Sequence, residues 1–288
     1  MNEVTLVTDG IEVEIRPGLG GKISRLLDRR RGREWLVPTP GDATRAAPGS
    51  SFVESPLCGW DEMLPTILPC YYPAGDDRAG ILLGDHGDAW TAGWDVTGQD
   101  ERQAAMHADL TNLPLRLERL ARVSGSTLRL DYTLSATGEE TVLALWAAHP
   151  LFACMDQTRV VLPQEVREVL DVIEVRNQRP VAWPNGLDRV AGMPDGVGRK
   201  LYVPPIQRVA SASLVDEDGS SLSMSWDPQR CPYLGLWLDN GYLSDGPMAA
   251  LEPAIAFCDE LALAAELGRT AEVRPGAPVT WWLEVSLA

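Results

Sequence analysis

Three observations in the sequence predict an all-β sandwich with few short helices. The first is alternation of apolar and polar residues with period two, recurring along most of the chain. The second is punctuation, since 26 glycines and 22 prolines break the 288 residues into short segments. The third is the scarcity of helical periodicity. Many short strands between frequent turns belong to sandwiches rather than to layered α/β folds.

The first clear strand is Ile11-Glu12-Val13-Glu14-Ile15-Arg16, which Pro17-Gly18 ends. Leu19-Gly20-Gly21 reads as a turn, and residues 22–28 as the next strand. Residues 39–88 form the longest irregular stretch, rich in Pro, Gly, Asp and Ser. Loops of that length in compact domains are usually functional. Leu113, Leu115 and Leu117 alternate with polar neighbours, then the phase slips at Arg119-Leu120, which predicts a β-bulge. Ser124-Gly125-Ser126 separates this segment from residues 127–134, which alternate again, so the two form a hairpin. Residues 143–152 read as a buried strand. Residues 222–226 and 233–238 are further strands, and the chain ends on alternating Trp281, Leu283, Val285 and Leu287. Two short helices are expected, over residues 164–172 and 259–267. No linker or shift in composition divides the chain, so residues 1–288 are expected to form a single domain.

A net charge of −16 argues against nucleic acid, whose phosphates need clustered Lys and Arg, and against anionic membranes. The one basic run, Arg29-Arg30-Arg31-Gly32-Arg33, fans outward as a solvated turn rather than converging on a phosphate. Five cysteines are scattered, with no pair at zinc or redox spacing, and the three histidines lack metal-ligand spacing. No metal and no cofactor are therefore expected. The amino-terminal residues lack a basic region followed by an apolar core, and no apolar run is long enough to span a bilayer. The expectation is a cytoplasmic protein, monomer or homodimer, with a small molecule as its partner.

Two stretches share an unusual form. In Ala147-Ala148-His149-Pro150-Leu151-Phe152 an apolar run delivers one histidine just before a proline. In Ala250-Leu251-Glu252-Pro253-Ala254-Ile255 a carboxylate takes the same place. A proline removes a backbone donor and holds the preceding residue extended. A glutamate in such a run is rarely buried without a partner or a role. Period two gives Glu252 a face shared with Ala250, Ala254 and Ala256, which leaves open space around the carboxylate. His149 and Glu252 are thus candidates for an acid and a base facing each other across one pocket. The structural alternatives are a satisfied core histidine and a glutamate paired with an internal arginine such as Arg129 or Arg189. His86, in Gly84-Asp85-His86-Gly87-Asp88, is either a ligand contact or an exposed turn histidine. Asp61 and Glu62, in Gly59-Trp60-Asp61-Glu62-Met63, either accept hydrogen bonds from sugar hydroxyls or cap a turn. Ten tryptophans stand against three phenylalanines. Trp237, beside a glycine-bearing strand, is a candidate for stacking on the C–H face of a sugar ring.

The ordered set of Gly20-Gly21-Lys22-Ile23-Ser24-Arg25-Leu26, Gly59-Trp60-Asp61-Glu62 with Pro65, Asp85-His86-Gly87, His149-Pro150-Leu151-Phe152, Leu251-Glu252-Pro253 and Val273-Arg274-Pro275-Gly276 resembles the aldose 1-epimerases of the galactose mutarotase-like superfamily. The resemblance implies an all-β fold, a large antiparallel β-sandwich of the supersandwich type with few short helices, and interconversion of the α and β anomers of a neutral sugar without metal or cofactor. It gives His149 the role of general acid at the ring oxygen, Glu252 that of general base at the anomeric hydroxyl, and His86 a hydrogen bond to the sugar. The chain departs from the family pattern at Ala148 and Leu151, where Asn and Tyr are usual. Two other functions stay open: a non-catalytic carbohydrate-binding protein on the same fold, and a hexose-phosphate epimerase, which needs Arg or Lys in the pocket.

Overall fold

The computed structural model describes residues 3–73, 75 and 77–288. Met1 and Asn2, where the reading of the amino terminus begins, and Ala74 and Asp76 of the long irregular stretch lie outside the described residues. Among the described residues, a twelve-stranded and an eight-stranded antiparallel sheet pack face to face. The backbone of the large sheet runs, in spatial order, through Val4–Val7, Ile11–Arg16, Lys22–Asp28, Trp60–Met63, Ala147–Pro150, Pro247–Ala254, Tyr233–Asn240, Val197–Tyr202, Glu168–Glu174 and Asn177–Ala182. The smaller sheet is centred on Leu115–Ser124, Thr127–Ala136 and Val279–Leu287. One helix, Leu261–Glu266, falls within the expected helical segment. Among the described residues no helix is long and apolar enough to cross a membrane.

Burial follows the alternation. Ile11, Val13 and Ile15 face the core while Glu12, Glu14 and Arg16 turn outward. Asp61 and Glu62 show what this does to adjacent residues, since period two sends them to opposite faces of the large sheet. Glu62 enters the space between the sheets. Its Oε1 accepts hydrogen bonds from Arg119 Nη1 at 2.7 Å and Tyr132 Oη at 2.8 Å, and its Oε2 accepts one from Trp146 Nε1 at 2.8 Å. The Arg119 guanidinium also donates to the Gly21 carbonyl and lies 4.8 Å from the Trp94 ring centroid.

Arg119 also corrects the expected bulge. Leu115–Ser124 pairs with Thr127–Ala136 in unbroken register, from Leu115↔Ala136 to Ser124↔Thr127. The phase never slips; a charged residue occupies an inward position, because Glu62 waits there with its charge. The helix expected over residues 164–172 is also absent. Its second half is the strand Glu168–Glu174, paired with Asn177–Ala182 on one side and Val197–Tyr202 on the other. Two neighbouring strands offer that backbone a ladder, which overrides its local preference. The stretch 143–152 is not one strand either, but Val142–Ala144, Ala147–Pro150 and Phe152–Ala153.

The buried ion pair between the sheets predicts a specific cost. Arg119→Met leaves Glu62 charged without its cation, and should lower unfolding stability by about 3–5 kcal/mol. Urea denaturation measures it, with a reduced midpoint at unchanged slope.

Candidate active site

The opposite face of the large sheet, away from the core, carries the candidate residues. His149 pairs in register with Asp61 on one side. The Ala147↔Ala254 pairing on the other side, followed along antiparallel strands, puts His149 beside Glu252. Glu252 in turn faces Gly235. A Cβ at Gly235 would lie 3.0 Å from Glu252 Oε2 and 3.2 Å from the Tyr202 ring, so glycine leaves the room these two side chains occupy.

His149 Nε2 stands 4.0 Å from Glu252 Oε1, too far for a hydrogen bond. Both residues are buried. Neither His149 Nδ1 nor Glu252 Oε1 has a hydrogen-bond partner among the described residues. Unsatisfied buried polar atoms are costly, so each of these two calls for an explanation. The other oxygen of Glu252 is held by Lys200 Nζ, which also lies 3.4 Å from Asp259 Oδ1. Tyr202 Oη donates to the same Asp259 oxygen at 2.6 Å.

His86 closes a third side. Its Nδ1 is 2.7 Å from Asp85 Oδ1, and its ring meets that of His149 edge-on at 5.0 Å. Phe52 stacks on His86 with centroids 3.9 Å apart and planes within 8°, and presents its edge to His149 at 5.0 Å. Asp85 clamps both partners, because its Oδ2 accepts the Phe52 backbone N–H at 2.8 Å. The turn is tight: His86 has a φ of 58° and Gly87 one of 72°. A Cβ on Gly87 would fall 2.1 Å from the Leu64 carbonyl oxygen, so only glycine fits.

These groups line a cavity of about 300 Å³, with His86, His149, Lys200, Glu252 and Asp259 among its polar lining. Trp237 lines it too, half-buried, so the structure brings four of the sequence candidates together at one place: His149, Glu252, His86 and Trp237. Asp61 lies on the same sheet face but lines a neighbouring cavity of about 240 Å³, where Lys22 holds its Oδ2. Phe52 lines both cavities. Glu62 is not brought to the cavity. The expectation that it accepts sugar hydroxyls is corrected by its position on the core face, where Arg119, Tyr132 and Trp146 take up its oxygens. Among the described residues no group of three or more His, Cys, Asp or Glu side chains is arranged to hold a metal ion.

Electrostatics set the resting charge of the floor. Desolvation, reinforced by the charges of His86, Lys200 and Lys22, holds the His149 pKa well below the ordinary histidine value. Desolvation pushes the Glu252 pKa upward, while the Lys200 ammonium in contact with it pulls the other way. Desolvation also works against the Lys200 ammonium, but Glu252 and Asp259 beside it outweigh that and raise its pKa. The proton of the lysine–glutamate pair therefore stays on Lys200, and His149 is neutral at rest.

Sequence reasoning missed Lys200, Asp259 and Phe52. Arg129 pairs instead with Asp131 and Glu284, and Arg189 with Gln157, so neither arginine reaches Glu252. A signal for Lys200 was present: Lys200 and Tyr202 share the face opposite the core-facing Leu201 in Val197–Tyr202. Phe52 is one of only three phenylalanines and sits in the long loop.

No family model and no curated protein sequence matches the chain. Solved structures do. A galactose mutarotase-like protein from Lactobacillus casei superposes with a TM-score of 0.75 at 15% identity, covering 100% of both chains. One from Clostridium acetobutylicum gives 0.73 at 14% identity, over 99% of this chain and 94% of that one. An aldose epimerase homologue from C. elegans gives 0.70 at 11% identity, over 100% and 98%. The chain has the fold of these proteins, a galactose mutarotase-like β-sandwich.

The depressed His149 pKa fixes the sign of a stability effect. Below about pH 6.5 the unfolded chain gains a proton on this histidine that the folded chain refuses, so stability falls with pH. As pH falls from about 7.5 to about 5.5 the loss is on the order of 1 kcal/mol. Urea unfolding of His149→Gln should lose that part of the pH dependence.

Proposed function

We propose, from the galactose mutarotase-like fold and the pair on the cavity floor, that this chain is an aldose 1-epimerase acting on a neutral sugar. The observation that carries the reading is the unpartnered Glu252 Oε1 facing the His149 imidazole at 4.0 Å across one cavity. Glu252 accepts the proton of the anomeric hydroxyl while His149 delivers one to the ring oxygen. The bond from the anomeric carbon to the ring oxygen breaks, the carbonyl rotates about one bond, and reclosure on its other face returns both protons. The sugar gives up one proton and takes one. The competent form of the pair is thus the one that carries a single proton between them. Lys200 keeps the Glu252 carboxylate charged and aimed, His86 donates to a sugar hydroxyl, and Trp237 offers its ring to the C–H face. The reaction belongs to one domain spanning the chain and needs no cofactor.

A phosphorylated sugar fits poorly. Lys200 is the one Lys or Arg among the residues lining the cavity, and it is already committed to Glu252 and Asp259. The same lysine supports a second reading, a carbohydrate-binding protein without turnover, because an ion-paired carboxylate is a weaker base.

Anomer exchange measured by polarimetry or NMR separates the two readings. General acid and base groups each contribute about 10²–10⁴, so His149→Ala and Glu252→Ala should each lower the rate by that order. Equal rates in wild type and both variants leave only the binding protein. The pH dependence gives a second test. His149 rests neutral, so the rate should rise as pH falls through neutrality, until Glu252 too is protonated. Lys200→Met removes a cation beside both groups, which raises both pKa values and should move the whole profile toward higher pH.

A further inference from the structure

His86, His149, Lys200, Glu252 and Asp259 gather at the floor of the cavity; away from them only the exposed Glu174 and the half-buried Trp237 carry polar side-chain atoms, and the rest of the described lining is apolar. Leu57, Leu151, Val172, Val175 and Met248 form much of the wall. At the rim stand Val53, Ile173 and Leu243, which are 51%, 53% and 40% exposed. These exposed large apolar side chains all line this one cavity, which gives it an apolar mouth. Hydrogen-bonding capacity is scarce away from the floor. His86 Nδ1 is committed to Asp85, Glu252 Oε2 to Lys200, and Asp259 Oδ1 to Tyr202 and Lys200. Free capacity remains at the His149 ring, Glu252 Oε1 and the second ring nitrogen of His86, all at the reacting end, and beyond them at Glu174 and the Trp237 indole.

An unsubstituted hexopyranose carries hydroxyls around its whole ring. With the anomeric carbon at the floor, its distal hydroxyls would lie against leucine, valine and isoleucine, where a hydroxyl without a partner is destabilised. An apolar group at the same place gains by leaving water. Charge narrows the choice further. Glu174, Glu252 and Asp259 line the cavity against the single Lys200, so an anionic substituent is repelled.

We infer that the cavity selects uncharged sugars bearing an alkyl, acyl or aryl substituent on the side away from the anomeric carbon, over unsubstituted hexoses. The inference rests on the proposed sugar site but concerns which sugar enters it.

The test uses the full chain with glucose, galactose and their 3-, 4- and 6-O-benzyl ethers, and with benzyl alcohol alone. Calorimetry gives the dissociation constants and NMR the anomer exchange. At least one ether of each series should bind about tenfold or more tighter than its parent. Ile173→Ser and Leu243→Ser, both at exposed positions, should shrink that ratio. Parents that bind as tightly as every ether overturn the inference, as does benzyl alcohol that binds as tightly as the ethers. The two proposals fail separately. Preferential binding of an ether with no acceleration of exchange for any sugar sinks the enzymatic reading and keeps the ligand class. Acceleration as large for the parents, with no preference in binding, keeps the enzyme and sinks the ligand class.

Discussion

A carboxylate beneath a cavity with apolar walls keeps its charge only if something compensates for lost water, and Lys200 supplies that compensation for Glu252. The contact occupies one carboxylate oxygen and leaves the other unpartnered, directed at His149. It also places a positive charge near the histidine, which, after desolvation, is part of what keeps that ring neutral. One ion pair therefore sets the basicity and orientation of the glutamate and, after desolvation and His86, helps to keep the histidine neutral. Asp259 and Tyr202 complete the arrangement by fixing the lysine from its far side.

The fold serves this floor by dividing the two faces of a single sheet. Adjacent Asp61 and Glu62 show the division most clearly. Asp61 points to the cavity-bearing face beside His149, and Glu62 locks the large sheet to the small one through Arg119. The inter-sheet pair ties the strand beside the site to the small sheet, and side chains carried on strands are held more precisely than those on loops. The loop bearing His86 is held by its own contacts, because Asp85 ties it to Phe52 and Gly87 lets it close against Leu64.

The legible part of the fold was what alternation and proline punctuation express locally. The strands at residues 11–16, 22–28 and 127–134 lie where the pattern put them, and so do His149 and Glu252. What stayed hidden depends on partners distant in the chain. Arg119 looked like a slipped phase because its partner, Glu62, lies 57 residues away. Residues 164–172 looked helical because the strands that flank their second half are invisible to a local window. Lys200 meets Glu252 across 52 residues, and no periodicity reports such an encounter. Glu62 was drawn into the expected site by its neighbour Asp61, although period two already separates their faces.

The most direct test of this account is a crystal structure of the protein with a reducing sugar bound. The account requires the anomeric hydroxyl on Glu252 Oε1, the ring oxygen facing His149, and Lys200 still on the other carboxylate oxygen. A sugar bound with its anomeric carbon at the rim, or with Lys200 withdrawn from Glu252 to meet the ligand, would contradict it.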